Sequence, residues 1–506
     1  MRCLNKNYIF VIIKGGVASP AMRNFDFDLG IIGGGAAGLT ATAGAARLGA
    51  KTLLIEREAR LGGDCLHHGC VPSKTLLRSA AVYHLLKNCG SFGLPQPELP
   101  AVDFRLIRER IRAVIGSIQK HDSAERFCKL GAKVEFGHGH FRDEHSVTVN
   151  GKTLTARSWL IATGSSPSIP DLEGLPQTPH LTNRDIFSLT RLPASLLILG
   201  AGPIAVELAQ AFCRLGSRVT IVQRSDQILS KEDRDMADSL MEALVAEGIS
   251  IHLNATALRC RNLGAERELS ILDRASGREE TLRAECLFIA QGREANVDGM
   301  GLAAIGVAHS PRGIGVDDRL RTSHKHIYAA GDVTGRHQFT HVAGYEAGVV
   351  ITNAIFRLPR KADYTWLPWC TYSEPELASI GYNEKRAKKA EISHTVWTED
   401  FADNDRARTE GTPAGRIKLL LDKRERPLGV QILGAHAGEV LAPWIAALNG
   451  RVKLATLAAA MHPYPSLSEI NKRIAGAPLA EKIFSARVKK ALTFFFNLQG
   501  RACSPE

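Results

Sequence analysis

One local pattern occurs twice in the chain and restricts its possible folds more than any other feature. Residues 27–32 form an apolar segment, which is followed by glycines, an alanine-rich stretch and a second apolar segment that ends at Ile55. The same order of segments returns over residues 195–222. Each copy reads as a strand, a turn, a helix and a strand, which requires parallel strands joined by a right-handed crossover. The chain is therefore expected to be an α/β protein with two Rossmann-like dinucleotide-binding domains.

The size of the chain and its charge exclude several classes of protein. With 506 residues it exceeds what one hydrophobic core usually supports, so three or four domains are expected. No apolar run approaches the roughly 18 residues that a membrane span needs. The net charge of +12 comes from scattered basic residues without a recognisable nucleic-acid module, and anionic cofactors are enough to account for it.

The cysteines indicate the redox compartment. Ten of them in a chain of this length are too sparse for a disulfide scaffold, and eight stand alone. A reducing, cytoplasmic setting with one special pair, Cys65 and Cys70, fits this distribution. Residues 1–21 contain too short an apolar stretch for a signal peptide, and we expect a disordered extension there.

The first glycine turn, Gly33 to Gly38, follows a strand and opens a helix. Gly33 permits the tight turn, Gly35 lets the backbone approach a pyrophosphate, and Gly38 lets helix and sheet pack closely. Glu56 ends the next strand, where an acid accepts a hydrogen bond from a ribose hydroxyl. The combination predicts a dinucleotide site, and the alternative is a glycine-rich turn without a ligand.

The second turn contains Gly200 and Gly202, with Ala205 in the third small position. The position of the ribose-binding acid carries Gln223, followed by Arg224. No carboxylate there repels a 2′-phosphate and a guanidinium is available to bind it, so NADPH is favoured over NADH. The alternative is that Arg224 is simply solvated and does not bind a 2′-phosphate.

The segment from Gly62 to Lys74 places Cys65 and Cys70 five residues apart. Five residues of regular helix rise about 7.5 Å, beyond the usual Cα separation of a disulfide, so a bond between these cysteines requires distorted backbone, which Gly69 permits. A strained, accessible disulfide is easily reduced. Two free cysteines are one alternative. Zinc binding by the cysteines with His67 and His68 is another, but four ligands within six residues leave little room for tetrahedral geometry, and no metal is expected.

Together these motifs resemble the pyridine nucleotide-disulfide oxidoreductases, which include dihydrolipoyl dehydrogenase, glutathione reductase and mercuric reductase. The resemblance runs from about Asp26 to Ile474, and the motifs occur in the family's order. They are the Gly33–Gly38 turn, the Cys65–Lys74 block, 162–164, the 202–207 turn, 292–296, 330–332 and a C-terminal block, 462–469.

The resemblance implies a role for each motif. Residues expected to contact FAD are Gly33, Gly35, Gly38, Glu56, Lys74, Gly139, Thr163, Gly164, Gly331, Asp332, Gln338 and His341. Residues expected to hold NADPH or NADH are Gly200, Gly202, Glu207, Gln223, Arg224 and Gly292. Lys74 is expected to pair with Glu207 near the flavin. Cys70 would receive electrons from the reduced flavin, and Cys65 would exchange with substrate as a thiolate, which needs a lowered pKa.

The C-terminal block departs from the disulfide reductases of this family, in which a histidine and a nearby glutamate reach the cysteines of the partner subunit. Aligning Pro465 and Glu469 on that motif places Tyr464 at the histidine position, whereas a second register uses His462 and needs a two-residue insertion. A tyrosine there resembles mercuric reductase, but no vicinal cysteine pair lies near the C-terminus. A phenol is a poor base at neutral pH, so His67 and His462 are alternatives for the acid/base role.

The resulting hypothesis is a homodimeric enzyme that reduces a disulfide or a soft metal with NAD(P)H, most like mercuric reductase. A dihydrolipoyl dehydrogenase is the second candidate, and an FAD-containing redox sensor with little turnover comes from a different class. The domains expected are FAD-binding over 22–165 and 292–361, NAD(P)-binding over 166–291, dimerisation over 362–480 and a basic amphipathic tail over 481–506. The tail aligns Phe484, Val488, Leu492 and Phe495 at helical spacing, which suits an anionic membrane surface or packing on the dimer.

Overall fold

The computed structural model describes residues 24–500 and Ala502. The extension expected over residues 1–21 lies outside this range. The first part of the chain contains strands and helices in alternation. They are β1 (Phe27–Ile32), α1 (Ala36–Arg47), β2 (Thr52–Glu56), α2 (Gly63–His67), α3 (Cys70–Lys87), α4 (Phe104–Gln119), α5 (Ala124–Lys129), β3 (Ala132–Phe136), β4 (His140–Phe141), β5 (Ser146–Val149), β6 (Lys152–Ile161) and β7 (Ser165–Pro167).

The next part repeats the strand and helix alternation and then returns to the first sheet. Its elements are β8 (Ser195–Leu199), α6 (Pro203–Leu215), β9 (Arg218–Val222), α7 (Arg234–Ala246), β10 (Ser250–His252), β11 (Ala255–Asn262), β12 (Arg267–Asp273), β13 (Glu279–Ala284), β14 (Cys286–Ile289), β15 (Arg293–Ala295), β16 (His309–Ser310), β17 (Gly313–Ile314), β18 (Ile327–Ala329) and α8 (Thr340–Ala354).

The last part has an antiparallel sheet and a run of helices. They are β19 (Pro368–Thr371), β20 (Glu376–Gly381), α9 (Glu384–Lys389), β21 (Thr395–Asp400), α10 (Asp405–Thr409), β22 (Arg416–Leu421), β23 (Pro427–Gly434), α11 (Ala437–Val440), α12 (Ala442–Gly450), α13 (Leu454–Ala459), α14 (Glu469–Ile483) and α15 (Ala486–Phe496).

Two parallel sheets carry the two glycine turns, as the repeated pattern predicts. In the first sheet β3, β2, β1 and β6 lie side by side, β18 pairs with β6, and β5 and β4 extend the sheet in the antiparallel direction. The second sheet has the order β10, β9, β8, β14, with all strands parallel. β1 and β8 are almost entirely buried, which is typical of parallel strands covered on both faces.

The two Rossmann-like units are connected by a short antiparallel pair. β7 leaves the first unit and pairs with β15, by which the chain returns. β18 then joins the first sheet beside β6, so this sheet is built from two separated stretches of chain. The small residues of α1 allow α8 to pack closely on it, because a Cβ on Gly44 would lie 2.4 Å from the Ile351 side chain.

The C-terminal part forms one five-stranded antiparallel sheet in the order β19, β20, β23, β22, β21. Its helices pack on this sheet around Trp444 and Ile474, which are fully buried. The mixed α/β class with a separate C-terminal α+β unit is therefore as expected from the sequence. No helix within the described ranges is both long and apolar enough to cross a membrane.

The tail differs from the single helical stripe expected from the sequence. α14 continues to Ile483, and a new helix begins after Ser485, whose hydroxyl accepts a hydrogen bond from the Val488 N–H (3.4 Å). A serine at this position satisfies a free N–H of the first turn and so favours a helix start. Phe484 therefore lies between two helices, and only Val488, Leu492 and Phe495 share the last one.

Candidate active site

One large cavity, of about 1890 Å³, lies where both glycine turns meet. It is lined by the carboxyl ends of β1 and β14, by the cysteine segment, and by Cys370 and Tyr372 from the C-terminal part. Ligands of doubly wound α/β proteins bind at this edge of a parallel sheet. A volume above the roughly 300–1,000 Å³ of sites for single small ligands suits more than one large cofactor.

The first glycine turn is shaped for close approach of the backbone. Gly33 has a φ of +109°, and a Cβ on it would lie 2.3 Å from the Ala162 carbonyl oxygen. A Cβ on Gly38 would lie 1.8 Å from the Gly33 carbonyl oxygen, so only glycine allows α1 to start this close to the turn. No side chain caps α1 at its start, beside the cavity, so its first N–H groups are available to an anion.

Glu56 is held at the end of β2 with both carboxylate oxygens fixed. One accepts a hydrogen bond from the Gly34 N–H (2.6 Å), and the other from the Glu58 N–H (2.8 Å). The side chain also lines the cavity, and each oxygen retains a lone pair for a ribose hydroxyl. This arrangement is the one that the sequence predicts for a dinucleotide site.

A polar network forms the opposite wall of the same region. The Ser165 hydroxyl donates to Asp332 (2.6 Å), and the Arg293 guanidinium donates to the Ser165 hydroxyl (2.7 Å) and to Asp64 (2.9 Å). Burial raises the pKa of Asp332, which the Ser165 hydroxyl and Arg293 partly offset. Gly139, Thr163, Gly164 and Gly331 line the cavity here, as do Gln338 and His341. The uncapped helix, the Glu56 carboxylate and this network fit FAD.

The second glycine turn repeats the first. Gly200 has a φ of +107°, and a Cβ on it would lie 2.4 Å from the Ala290 carbonyl oxygen. α6 begins immediately after Gly202 without a side-chain cap, and a Cβ at Gly202 would meet only open space. Gly202 and Gly292 line the cavity, whereas Gly200 supports the turn from behind.

Gln223 and Arg224 lie at the end of β9, outside the cavity lining. The Gln223 amide donates to the Ser225 hydroxyl (2.6 Å). Arg224 is exposed and forms no ion pair with any residue that the structure describes. Its guanidinium is thus available to an anionic ligand, and the preference for NADPH stays a prediction.

The cysteine segment has the distorted backbone that the spacing of Cys65 and Cys70 demands. α2 ends at His67 and α3 begins at Cys70, so the helical path is broken between them. A Cβ on Gly69 would lie 3.1 Å from the Asp64 carbonyl oxygen and 3.2 Å from the Cys65 Cα, which is tighter than ordinary side-chain contacts. The break brings the two cysteines side by side as free thiols that hydrogen-bond to each other.

The two thiols are electrostatically unequal. The hydrogen bond from Cys65 lowers the pKa of Cys70 to about 6, helped by Thr340, whose hydroxyl lies 3.3 Å from the Cys70 sulfur, and by the charge of Lys74. The same hydrogen bond and burial raise the pKa of Cys65. Cys70 faces the cavity yet is surrounded by protein on its other sides. Of the two thiols, Cys70 is therefore the one whose thiolate is favoured when the pair is reduced, and the role of Cys65 as the thiolate that exchanges with substrate stays a prediction.

Lys74 and Glu207 form the ion pair expected from the sequence. The Lys74 Nζ lies 2.7 Å from a Glu207 carboxylate oxygen, and the other oxygen accepts from the Tyr372 N–H (2.9 Å). Lys74 also lies over the Tyr372 ring, 4.6 Å from its centroid. Because α3, α6 and the loop after β19 belong to three different parts of the chain, this contact assembles the cavity wall from all of them.

The ring nitrogens of His67 and His68 are not clustered with the thiols of the two cysteines. No three ligand atoms of Cys65, His67, His68 and Cys70 lie within 4.8 Å of one another in the described part of the chain. The His67 Nε2 instead lies 2.9 Å from the Leu61 carbonyl oxygen. Burial lowers the pKa of His68.

The C-terminal candidates lie away from the cavity of their own subunit. His462, Tyr464 and Glu469 are absent from its lining. Tyr464 is 72% exposed, and its hydroxyl donates to Asp405 (2.9 Å), which raises its pKa. One Glu469 oxygen accepts from the Ser466 N–H (3.4 Å). An exposed position is compatible with a role in the partner subunit's cavity.

Several residues of the site were not found by sequence reasoning. Asn183 donates to Asp64 and to the His68 carbonyl oxygen, and so fixes the cysteine segment from a distant loop. Tyr372 and Cys370 reach the cavity from β19 and the loop that follows it. None of these stands in a motif. Arg293 does stand in one, although no role was assigned to it.

Comparisons with known proteins place the chain in a family. The pyridine nucleotide-disulphide oxidoreductase family matches residues 27–347, and that family's dimerisation domain matches residues 367–475. A mercuric reductase of Bacillus cereus is 34% identical over 92% of this chain and 73% of its own length. A dihydrolipoyl dehydrogenase of Bacillus subtilis is 33% identical over 87% of this chain and 96% of its own length.

A solved structure shares the overall arrangement. The HOCl-induced flavoprotein disulfide reductase RclA from Escherichia coli superposes with a TM-score of 0.79 at 27% identity, covering 88% of this chain and 99% of that one. The matched dimerisation domain supports a homodimer. The chain belongs to the pyridine nucleotide-disulphide oxidoreductase family and is an FAD-dependent disulfide oxidoreductase that uses NAD(P)H.

Proposed function

We propose that this enzyme passes electrons from NADPH to the Cys65–Cys70 pair and then to a soft metal ion, as its mercuric reductase relatives are named for doing. The residues around the first glycine turn, with Gly139, the 163–164 pair, Asp332 and the 338–341 segment, hold FAD in this proposal. Gly202, Gly292 and Arg224 hold the nicotinamide cofactor. FAD, when bound, relays a hydride equivalent from the nicotinamide to the disulfide.

The protein's own residues account for the thiol chemistry. When the Cys65–Cys70 bond opens, the two sulfurs gain two electrons and a proton remains on Cys65, whose pKa is raised. Cys70 stays a thiolate because Cys65, Thr340 and Lys74 stabilise the negative charge. Re-formation of the disulfide returns two electrons to the acceptor and releases the Cys65 proton.

The observation that favours a metal acceptor is Tyr464 in the place of a histidine base. Reduction of a divalent metal follows NADPH + M²⁺ → NADP⁺ + M⁰ + H⁺, and no leaving thiolate needs protonation. Reduction of a disulfide follows NADPH + H⁺ + RSSR → NADP⁺ + 2 RSH, and it benefits from an acid that protonates the leaving sulfur, often by 100-fold or more. Asp405 raises the pKa of Tyr464, which makes the phenol a still weaker acid and leaves even less phenolate to act as a base at neutral pH. A small disulfide such as lipoamide remains the second candidate.

The test is anaerobic titration of the holoenzyme with NADPH or NADH, followed by addition of Hg(II), lipoamide or oxidised glutathione. We expect a long-wavelength thiolate-to-flavin absorbance after reduction, and turnover with Hg(II). Tyr464→His should raise lipoamide turnover at least tenfold and leave metal turnover within about threefold, because only the disulfide reaction uses the new imidazole. Turnover of lipoamide but not Hg(II) by the unaltered enzyme contradicts the proposal, and negligible turnover with all three acceptors favours a redox sensor.

We also propose that the last helix, α15, makes peripheral contact with an anionic membrane. None of the side chains of α15 is buried, and Phe494, Phe495 and Phe496 are all more than 70% exposed. Arg487, Lys489 and Lys490 are on the same short helix. Exposed aromatic rings beside basic residues are typical of interfacial helices. Packing against the partner subunit is the alternative.

A further inference from the structure

A cluster of histidines lies on the first sheet, away from the redox cavity. Glu144 and His145 are in the turn between β4 and β5, and His326 immediately precedes β18. One carboxylate oxygen and one ring nitrogen of each histidine lie within 4.8 Å of one another. None of the three residues lines the cavity, so the cluster is separate from the site described above.

We propose that Glu144, His145 and His326 form a binding site for a divalent metal of the zinc type. Two imidazoles and one carboxylate are donors that Zn²⁺ accepts, with a fourth position left for water. Ca²⁺ and Mg²⁺ prefer all-oxygen ligands, so the donor set disfavours them.

The backbone carbonyl partners of the two rings support this assignment. The His145 Nδ1 lies 3.0 Å from the Ala156 carbonyl oxygen, and the His326 Nε2 lies 3.1 Å from the Glu144 carbonyl oxygen. Carbonyls only accept, so these nitrogens carry the hydrogen, and the opposite nitrogen of each ring is the one that can bind a metal. Metal-binding histidines are usually oriented by such a second contact.

A single buried tryptophan fixes the backbone of both histidines. The Trp159 indole N–H donates to the His145 carbonyl oxygen (2.9 Å), and its backbone N–H donates to the His326 carbonyl oxygen (3.0 Å). The imidazole rings stack with centroids 4.1 Å apart. His324 lies next to the cluster, with its Nδ1 3.1 Å from a Glu144 oxygen, and orients that carboxylate. The donors are therefore positioned before any metal binds.

The experiment is equilibrium dialysis of the oxidised holoenzyme against Zn²⁺, with Co²⁺ absorption as a probe of the ligands. The oxidised enzyme is used because its Cys65–Cys70 disulfide removes the competing thiols. We expect binding with visible Co²⁺ bands and no thiolate charge-transfer band. Glu144→Gln and His326→Gln should each weaken Zn²⁺ binding by at least about tenfold, since each removes a ligand.

His309→Gln is the matched control, because His309 is an exposed histidine of the same unit that is absent from the cluster. It should bind Zn²⁺ as the unaltered protein does. Glu144 is 46% exposed at its side chain, so Glu144→Gln is expected to fold even if a histidine variant does not, and unchanged absorbance of bound FAD checks this. Undiminished binding by Glu144→Gln, or a Co²⁺ spectrum dominated by thiolate charge transfer, overturns the proposal.

Discussion

At the scale of single residues, the main result is the difference between two neighbouring thiols. Cys65 and Cys70 have the same chemistry and both interact with Thr340, but the hydrogen bond between the two thiols lowers the pKa of Cys70 and raises that of Cys65, and the Lys74 charge helps to lower the pKa of Cys70. Burial raises the pKa of other cysteines, among them Cys213 and Cys260, although a hydrogen bond with Thr178 partly offsets this at Cys260. A stabilised thiolate facing the cavity is thus a property of position rather than of residue type.

This difference predicts a pH-dependent absorbance of the reduced enzyme. The Cys70 pKa of about 6 means that the thiolate dominates above that pH and is lost as the pH falls through it. The thiolate-to-flavin band should disappear with the same midpoint. Thr340→Val removes one hydrogen bond to the thiolate and should raise the midpoint by about one pH unit. The measurement is an anaerobic pH titration of the reduced protein.

Thr352→Val is the control for this titration, because Thr352 lies on the same helix α8 and its hydroxyl donates only to the Gly348 carbonyl oxygen. Its midpoint should equal that of the unaltered enzyme. A midpoint that Thr340→Val leaves unchanged would show that the Thr340 hydroxyl does not stabilise the thiolate.

At the scale of secondary-structure elements, short interruptions decide where functional groups lie. Gly69 separates α2 from α3 and brings the cysteines together, and Ser485 separates α14 from α15. The second break frees α15 from the C-terminal sheet, so that its aromatic side chains remain exposed in the subunit. An exposed aromatic helix is expected to bind another surface.

For α15 we expect binding to anionic vesicles. Phe494→Ser combined with Phe496→Ser removes two rings that are 82% and 71% exposed and should abolish most of this binding. Flotation with phosphatidylglycerol vesicles measures it, and neutral phosphatidylcholine vesicles should bind less because the basic residues no longer contribute. Phe356→Ser is the control, since Phe356 is also exposed, at 52%, but lies outside α15. Dissociation of the dimer by the double variant, without any vesicle binding by the parent, would favour the dimer-packing alternative.

At the scale of the whole molecule, charged contacts join the C-terminal part to the second Rossmann-like unit. The Lys418 side chain is only 2% exposed, and its Nζ lies 3.0 Å from Asp233, 2.9 Å from Asp235 and 2.6 Å from Glu384. Asp233 and Asp235 belong to the start of α7, whereas Lys418 and Glu384 belong to the C-terminal part. Such contacts fix the placement of the C-terminal part relative to the second Rossmann-like unit. The position of Tyr372 at the cavity therefore depends on them.

Lys418→Met should lower the free energy of unfolding by about 3–5 kcal/mol at pH 7, because it removes the buried cation shared by three carboxylates. The hydrogen bond to Lys418 lowers the pKa of Glu384 in the folded protein. In the parent, the stabilisation from the pairing of Lys418 with Glu384 is fully present above the unfolded-state pKa of a glutamate, near 4.3. It is lost as the pH falls through the lower pKa that Glu384 has in the folded protein. The Lys418→Met variant should show the opposite pH dependence, and its free energy of unfolding should increase as the pH is lowered towards 5. Urea denaturation followed by tryptophan fluorescence measures this, since four of the five tryptophans follow residue 362.

Lys388→Met provides the comparison for Lys418→Met. Lys388 also pairs with Glu384, at 3.3 Å, but its side chain is 70% exposed. An exposed pair is worth at most about 0.5 kcal/mol, so this variant should be nearly as stable as the parent. Equal losses in both variants would contradict the role given to the buried amine.

The sequence by itself determined the features that depend on local backbone geometry. Gly33, Gly38 and Gly200 must be glycine because neighbouring carbonyl oxygens leave no space for a Cβ. A motif made of such positions can be recognised from the sequence alone. The cysteine spacing likewise implied the break at Gly69. Only the tertiary structure brought Thr340 to the cysteine pair, because it is 270 residues from Cys70 along the chain. It also decided that Asn183 and Tyr372 reach the site and that Glu144, His145 and His326 converge, since long-range contacts leave no periodic signal in a single sequence.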